Sequence, residues 1–278
     1  MTPSLTLPDG RSLDLASGPL VMGIVNVTPD SFSDGGLFAE SEAAILHGLR
    51  LAEEGAAILD IGGESTRPGH ELVDAETEAG RVVPVIAALA ERTQVPISID
   101  SWKAPVAEAA LKAGASIVND VWGAQRDPGI ARVAAEANAP IVLMHNRVTI
   151  DARLDIVDEV LRYLERSVAI AREAGVPEDR IAIDPGIGFG KTSRQNLDLI
   201  RDLDKLKELG LPILLGASRK STLGRITGQA VAAERLAASL SAHLFGVSRG
   251  AAIIRAHDVR AHVDALKVWA AIVGTEEF

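Results

Sequence analysis

Cysteine is absent from all 278 residues. That excludes disulfides, thiolate-bound zinc, iron–sulfur clusters and a thiol nucleophile, and it suits a reducing compartment. Aromatic residues are scarce: five Phe, three Trp and one Tyr, too few for the stacking platforms that hold single-stranded nucleic acid. Positive charge is in deficit. Lys and Arg number 28 against 38 Asp and Glu, a net charge of −10, which excludes the basic surface of a sequence-independent nucleic-acid binder. Long apolar runs are missing as well. VVPVIAALA at 82–90 falls far short of the ~20 residues needed to span a bilayer. The opening MTPSLTLPDG lacks the basic and then apolar pattern of a secretory signal. These absences predict a soluble, cytoplasmic protein with no nucleic-acid or membrane partner.

What is present is a large apolar complement, 47% of the chain against 24% charged, which excludes intrinsic disorder. No Ser/Pro-rich linker or low-complexity tract divides it, so residues 1–278 are read as a single domain. Residues 5–16 read as a small hairpin around Pro-Asp-Gly within an N-terminal extension, 1–19. Eight short runs rich in Ile and Val follow: 21–27, 56–62, 95–100, 116–121, 140–145, 181–186, 212–218 and 251–257. Each is too short for a helix and reads as a strand buried on both faces. Amphipathic helical stretches lie between them, such as 155–174 and 193–209. Thr192 and Gln195 have the spacing of a capping box, and Pro84 is expected to kink or restart the helix at 75–92. Eight strands alternating with helices is the count of an α/β protein of the (β/α)8 TIM-barrel class.

The strand tips carry polar residues: Asn26, Asp60, Asp100, Asn119 with Asp120, His145, Asp184, Ser218 and His257. In an open sheet they would spread along an edge. In a closed barrel they converge on one mouth, where active sites sit. Any single Asp there is as well read as a helix cap or turn residue. Several together need cationic or N–H-rich partners, which a ligand with amidine-like N–H groups would supply. Arg219 and Lys220 follow the seventh strand, and Arg255 precedes His257 at the eighth, where barrels often hold a phosphate; Arg67 lies in a loop that could close over it. The loops TPDSFSDGG (28–36) and GGESTRPG (62–69) have the composition of lids. Loop DPGIGFGKT (184–192) fails as a Walker loop because Pro185 stands where glycine is required. Six scattered histidines give no zinc spacing, and no GxSxG elbow occurs.

Seven segments in order, TPDSFSDGG, DIGGESTRPG, ISIDS, IVNDV, DPGIGFGK, GASRKS and RAHDV, resemble the motif set of the bacterial dihydropteroate synthases over roughly residues 20–260. That family joins 6-hydroxymethyl-7,8-dihydropterin diphosphate to p-aminobenzoate, giving 7,8-dihydropteroate and diphosphate in folate biosynthesis. The resemblance implies pterin contacts from Asp100, Asn119, Asp184 and Lys220, and diphosphate contacts from Asn26, Arg67, Arg255 and His257. It implies a p-aminobenzoate pocket of Phe32, Thr66, Pro68, Phe189 and Ser221. Asp100, Lys220, Arg67 and His257 would act in catalysis, and Asn26 would stand next to a Mg2+ cofactor. A homodimer and sulfonamide inhibition are also implied. Two segments depart from the family: MHNRVT (144–149) replaces a Gly/Pro-containing turn after MHM, and RAHDV stands for RVHDV. Two rivals share part of this pattern. A methyltetrahydrofolate:corrinoid methyltransferase would share the pterin site but has no use for SRK, STRPG or a diphosphate site. A non-catalytic pterin-binding paralogue would be marked by loss of Arg67, Lys220 or His257, and all three are present.

Overall fold

A computed structural model describes residues 4–27, 36–64 and 72–274, with only the backbone of 36–39. A two-stranded antiparallel hairpin, β1 (Ser4–Thr6) and β2 (Ser12–Asp14), precedes a closed parallel barrel. Its strands are β3 (Leu20–Asn26), β4 (Ile58–Gly62), β5 (Ile97–Asp100), β6 (Ile117–Asp120), β7 (Ile141–Met144), β8 (Ile181–Asp184), β9 (Ile213–Leu215) and β10 (Ala251–Ala256), and β10 pairs back onto β3. The helices are α1 (Gly36–Glu53), α2 (Ala75–Arg92), α3 (Ala104–Lys112), α4 (Gly129–Glu136), α5 (Ile156–Glu173), α6 (Ser193–Arg201), α7 (Ser221–Thr227), α8 (Leu236–Ser248) and α9 (Val259–Val273). The hairpin, the eight strands and the TIM-barrel class all stand as the sequence predicts.

The barrel is closed by side chains of alternating direction. One set, including Leu59, Ile61, Ile97, Ile99, Val118 and Ile183, packs outward in the larger apolar cluster with helix residues such as Val82, Ile86, Leu89 and Val160. The alternate set, Met22, Ile58, Ile117, Val142, Ala182, Leu214 and Ile253, fills the barrel axis and joins Leu5, Leu7 and Leu15 of the hairpin. Apolar residues on both faces explain why the strands read as unbroken apolar runs. The hairpin closes the N-terminal end of the barrel. Thr6 Oγ1 donates to Asp179 ahead of β8, and Arg11 Nη1 donates to the Gln94 carbonyl ahead of β5.

Two helical expectations are revised. Helix α2 runs unbroken through Pro84 from its Asp74 cap, whose Oδ1 accepts Thr77 N–H at 2.8 Å. Complete burial of Val82, Val85, Ile86 and Leu89 outweighs the ~3 kcal/mol that an internal proline costs. The 193–209 stretch is two elements: α6, opened by the Thr192–Gln195 capping box, and a 3₁₀ helix over Leu203–Leu209 ended by Gly210 at φ 69°. Leu203 and Leu206, both fully buried, are three residues apart, the repeat that a 3₁₀ helix brings to one side.

Candidate active site

Side chains alternate along a strand, so two residues beyond each axial apolar residue another side chain enters the barrel. Ile58 is followed in this way by Asp60, Ile117 by Asn119, Ala182 by Asp184 and Ile253 by Arg255. The apolar floor thus carries a polar layer at the C-terminal mouth. Arg255 ties it together: Nε donates to Asp60 Oδ2 and Nη2 to Asp100 Oδ2, both at 2.6 Å. Asn119 Nδ2 donates to the same Asp60 oxygen at 3.0 Å, leaving Oδ1 of Asn119 as an acceptor. Asp184 Oδ1 accepts Gly186 N–H at 2.7 Å. Asp100 Oδ1 is buried with no partner, an acceptor available to a ligand. Asp100, Asn119, Asp184, Lys220 and Arg255 line one pocket, with Val121, Met144, Ile187 and Phe189 as its apolar walls.

Burial sets the electrostatics. It pushes Asp184 up to about 6, against the pull of the Gly186 N–H and of Lys220. It pushes Asp100 up to about 7 despite the Arg255 guanidinium, with Asp60 and Glu78 adding to the rise. Lys220 is lowered to about 8 by burial and by Arg255. Its Nζ lies 4.2 Å from the Phe189 ring centroid, a cation–π contact. Asp120 faces away from this pocket set: its carboxylate accepts Trp122 N–H and Ala124 N–H and shapes the β6–α4 turn.

Across the mouth lies a cleft of about 420 Å³ lined by Asn26, Arg219, His257 and Asp258, with His47 and Arg50 of α1 and Glu54 just after it. Ser218 Oγ accepts His257 N–H at 3.2 Å and stands 2.9 Å from His257 Nδ1. Burial, Arg219 and Arg255 lower the ring to about 3, so it is a neutral donor at pH 7. Arg219 has φ 58°, a left-handed conformation that costs a non-glycine residue about 1 kcal/mol or more. Three contacts hold it there: its N–H donates to Ser239 Oγ, its carbonyl accepts from Arg235 Nη1, and its guanidinium pairs with Asp258.

The structure brings Asp100, Asn119, Asp184, Lys220, Arg255 and Phe189 into one pocket, and Asn26 and His257 into the neighbouring cleft. Arg255, expected with the diphosphate contacts, bridges Asp60 and Asp100. Ser221 opens α7 and is exposed. Phe32, Thr66, Arg67 and Pro68 lie outside the described residues. Two site residues received no role from the sequence. Asp60 is a strand-tip carboxylate whose importance comes from Arg255, 195 positions away. Lys191, in the loop that resembles a phosphate-binding turn, is buried and donates to the carbonyls of Gly186 at 2.7 Å, Phe189 at 3.0 Å and His145 at 3.5 Å. Burial drives its pKa well below the usual lysine value. Gly186, at φ 67°, is required by the same fold, because a Cβ there would sit 1.9 Å from the His145 carbonyl oxygen.

Among the described residues no three His, Asp or Glu side chains converge as a metal cage, and no helix is long and apolar enough to cross a membrane. A barrel whose mouth sets buried carboxylates and an amide beside a cleft bearing Arg50, Arg219 and His257 defines an enzyme site for a small polar molecule. The pterin binding enzyme family model matches residues 22–257. Dihydropteroate synthase of Clostridium beijerinckii is 44% identical over 264 residues, 95% of this chain and 97% of its own. That of Bacillus subtilis is 50% identical over 241 residues, 87% and 84% of the two chains. A Xanthomonas albilineans dihydropteroate synthase structure with 4-aminobenzoic acid superposes with a TM-score of 0.93 at 49% identity, over 98% of this chain and 99% of that one. A structure of the enzyme from the same organism in complex with 7,8-dihydropteroate gives 0.89 at 48% identity, with the same coverage. The chain belongs to the dihydropteroate synthase family of pterin-binding enzymes.

Proposed function

We infer that this chain joins 6-hydroxymethyl-7,8-dihydropterin diphosphate to p-aminobenzoate, forming 7,8-dihydropteroate and releasing diphosphate. The observation that carries the reading is the set of acceptors in the polar layer: Asp184, the unpartnered Asp100 Oδ1 and the free Asn119 Oδ1, facing a pocket walled by Val121, Met144 and Ile187. A pterin edge with its 2-amino and N3 protons satisfies such acceptors. Its flat ring fills the apolar slot. Charge-assisted bonds of this kind are the strong ones.

The chemistry follows from the same residues. The C–O bond from the pterin methylene to diphosphate breaks, and its electron pair leaves on the phosphate oxygen. Positive charge then spreads over the dihydropterin ring. Asp100 stabilises that charge from the ring side, and Lys220 donates to the O4/N5 edge. His257, neutral at pH 7, and Arg67 hold the departing diphosphate with Asn26. The neutral aromatic amine adds to the methylene and loses a proton, so no strong base is needed. Phe189 and Phe32 flank its ring, Thr66 and Pro68 border it, and Ser221 holds its carboxylate. Arg255 acts on the pterin half by fixing Asp60 and Asp100. Mg2+ needs few protein ligands. Asn26, whose amide lines the cleft, would hold such an ion, and the ion would neutralise charge on the leaving group.

A cytoplasmic homodimer accords with the exposed apolar residues Ile226, Phe245, Val268 and Ile272 of α7 to α9, which a second copy would cover. Sulfonamides, aniline and acid combined, would compete with p-aminobenzoate at Phe189 and Ser221.

The deciding assay supplies both substrates and follows diphosphate and dihydropteroate together. Equimolar release supports the reading. Pterin binding without diphosphate release would indicate a non-catalytic paralogue, and methyl transfer from methyltetrahydrofolate would indicate the rival enzyme. Because Asp100 titrates at about 7 and acts as the anion, kcat/KM should fall as pH drops below about 7. Asp100→Asn should flatten that acid limb; an unchanged limb would remove Asp100 from the role.

A further inference from the structure

Behind the cleft, two buried imidazoles form a chain between the loops after β9 and β10. Ala217 N–H donates to His243 Nε2 at 2.9 Å. His243 Nδ1 stands 2.8 Å from His262 Nε2. His262 Nδ1 stands 2.8 Å from the Asp258 carbonyl oxygen. The chain has one direction. Ala217 N–H is only a donor and the Asp258 carbonyl only an acceptor. His243 must therefore accept at Nε2 and carry its proton on Nδ1, and His262 must accept at Nε2 and donate from Nδ1. Both rings are neutral. The rings are 1% and 2% exposed.

The two ends of the chain lie inside the site. Ala217 lies between Gly216, which lines the pterin pocket, and Ser218, which bonds His257. Asp258 follows His257 and pairs with Arg219. Besides each other, the titratable groups that act on the pair are His257, which bears on His243, and Asp258, which bears on His262, both in the lining of the cleft. A pair of leucines would fill the same space without desolvating four ring nitrogens. What imidazoles add is a fixed register between the loops, with no polar atom of the chain left unpaired. Protonating either ring would set N–H against N–H and break it.

We propose that His243 and His262 are positioning residues for the diphosphate half of the site, holding Ser218 and Arg219 in register with His257 and Asp258. The proposal rests on the reaction inferred above. The pterin layer, held by the separate Arg255–Asp60–Asn119 network, does not depend on this relay.

The test titrates two probes calorimetrically, inorganic diphosphate with Mg2+ and 6-hydroxymethyl-7,8-dihydropterin, into wild type, His243→Leu, His262→Leu and His243→Gln. Gln keeps an acceptor and a donor. The Leu variants should weaken diphosphate about tenfold, the effect of orphaning one buried hydrogen-bonding group, with bare-pterin affinity unchanged. They should raise KM for the pterin diphosphate and leave KM for p-aminobenzoate unmoved, and His243→Gln should restore most of the loss. Equal weakening of both probes would overturn the proposal, as would unchanged diphosphate affinity. Ring 15N shifts of the wild-type protein give a reading that needs no variant to fold. Protons on His243 Nδ1 and His262 Nδ1 are expected, and a proton on His243 Nε2 would overturn the relay. Wild-type protein that bound neither probe would overturn the reaction reading itself.

Discussion

The lower and upper interior layers of the barrel are made by the same strands, two residues apart, and they differ in almost every physical respect. Below, Met22, Ile58, Ile117, Val142, Ala182, Leu214 and Ile253 pack over the hairpin leucines as an apolar plug. Above, Asp60, Asn119, Arg255 and Asp100 share hydrogen bonds at the mouth, with Asp184 beside them accepting Gly186 N–H. The lower layer stabilises by removing apolar area from water. The upper layer holds carboxyls pushed up to about 6 and about 7, which marks groups that the fold keeps charged at an energetic cost. The contrast separates residues kept for folding from residues kept for binding.

The largest break in that contrast comes from Arg255. Replacing it by Leu leaves Asp60 and Asp100 buried without their shared cation. Removing one partner of a buried ion pair costs about 3–5 kcal/mol, and here two carboxylates are affected. Arg255→Leu should lose at least that much stability in urea unfolding at pH 8, along with activity. A loss below about 1 kcal/mol would show that the upper layer does not depend on this bridge. Destabilisation should shrink at pH 5, where the freed Asp100 carboxyl takes up a proton.

A smaller effect with the opposite signature is expected from the plug. Leu7 is 1% exposed among the axial residues. Leu7→Ala removes apolar contacts and leaves a cavity, costing roughly 2–5 kcal/mol. At 25 °C the folded fraction should keep its wild-type KM for both substrates. A changed KM would mean that the two layers are mechanically coupled, against the separation drawn here.

The sequence shows the barrel and most of the upper layer for a simple reason. Strands buried on both faces read as apolar runs, and a polar residue at the end of such a run, as in ILD at 58–60 or AID at 182–184, marks where the barrel interior meets the mouth. Contacts between distant positions are not legible in that way. Asp60 looks like any other strand-tip carboxylate until Arg255 is placed against it. Lys191 sits in a glycine-rich loop that suggests phosphate, whereas its protons are spent on three carbonyls. His243 reads as an ordinary helical residue, because its partners at 217 and 262 are adjacent only after the barrel closes. The 3₁₀ turn after α6 was masked by leucines at 203 and 206, a spacing that also suits an α-helix.

The finest discrimination is at Asp184, where binding and stability should move in opposite directions. Its Oδ1 accepts Gly186 N–H, a bond that an asparagine Oδ1 keeps. The other position becomes an NH2 group facing the pterin's own donors. Asp184→Asn should therefore weaken the pterin diphosphate by ~1.5–3 kcal/mol, the usual worth of a hydrogen bond to a charged group. Stability carries the reverse sign. The folded carboxyl titrates at about 6 against 3.8 for an ordinary aspartate, so the folded state holds this proton more tightly than the unfolded one. The contribution of Asp184 to wild-type stability should thus fall as pH rises from about 4 through 6, by on the order of 2–3 kcal/mol. Asparagine has no such loss. At pH 8 the variant should unfold at higher urea than wild type, and at pH 4 the gain should vanish. Calorimetric titration and urea unfolding at the two pH values check both halves. A variant that binds as wild type would remove Asp184 from the pterin site, and one less stable at pH 8 would show that its carboxylate supports the fold.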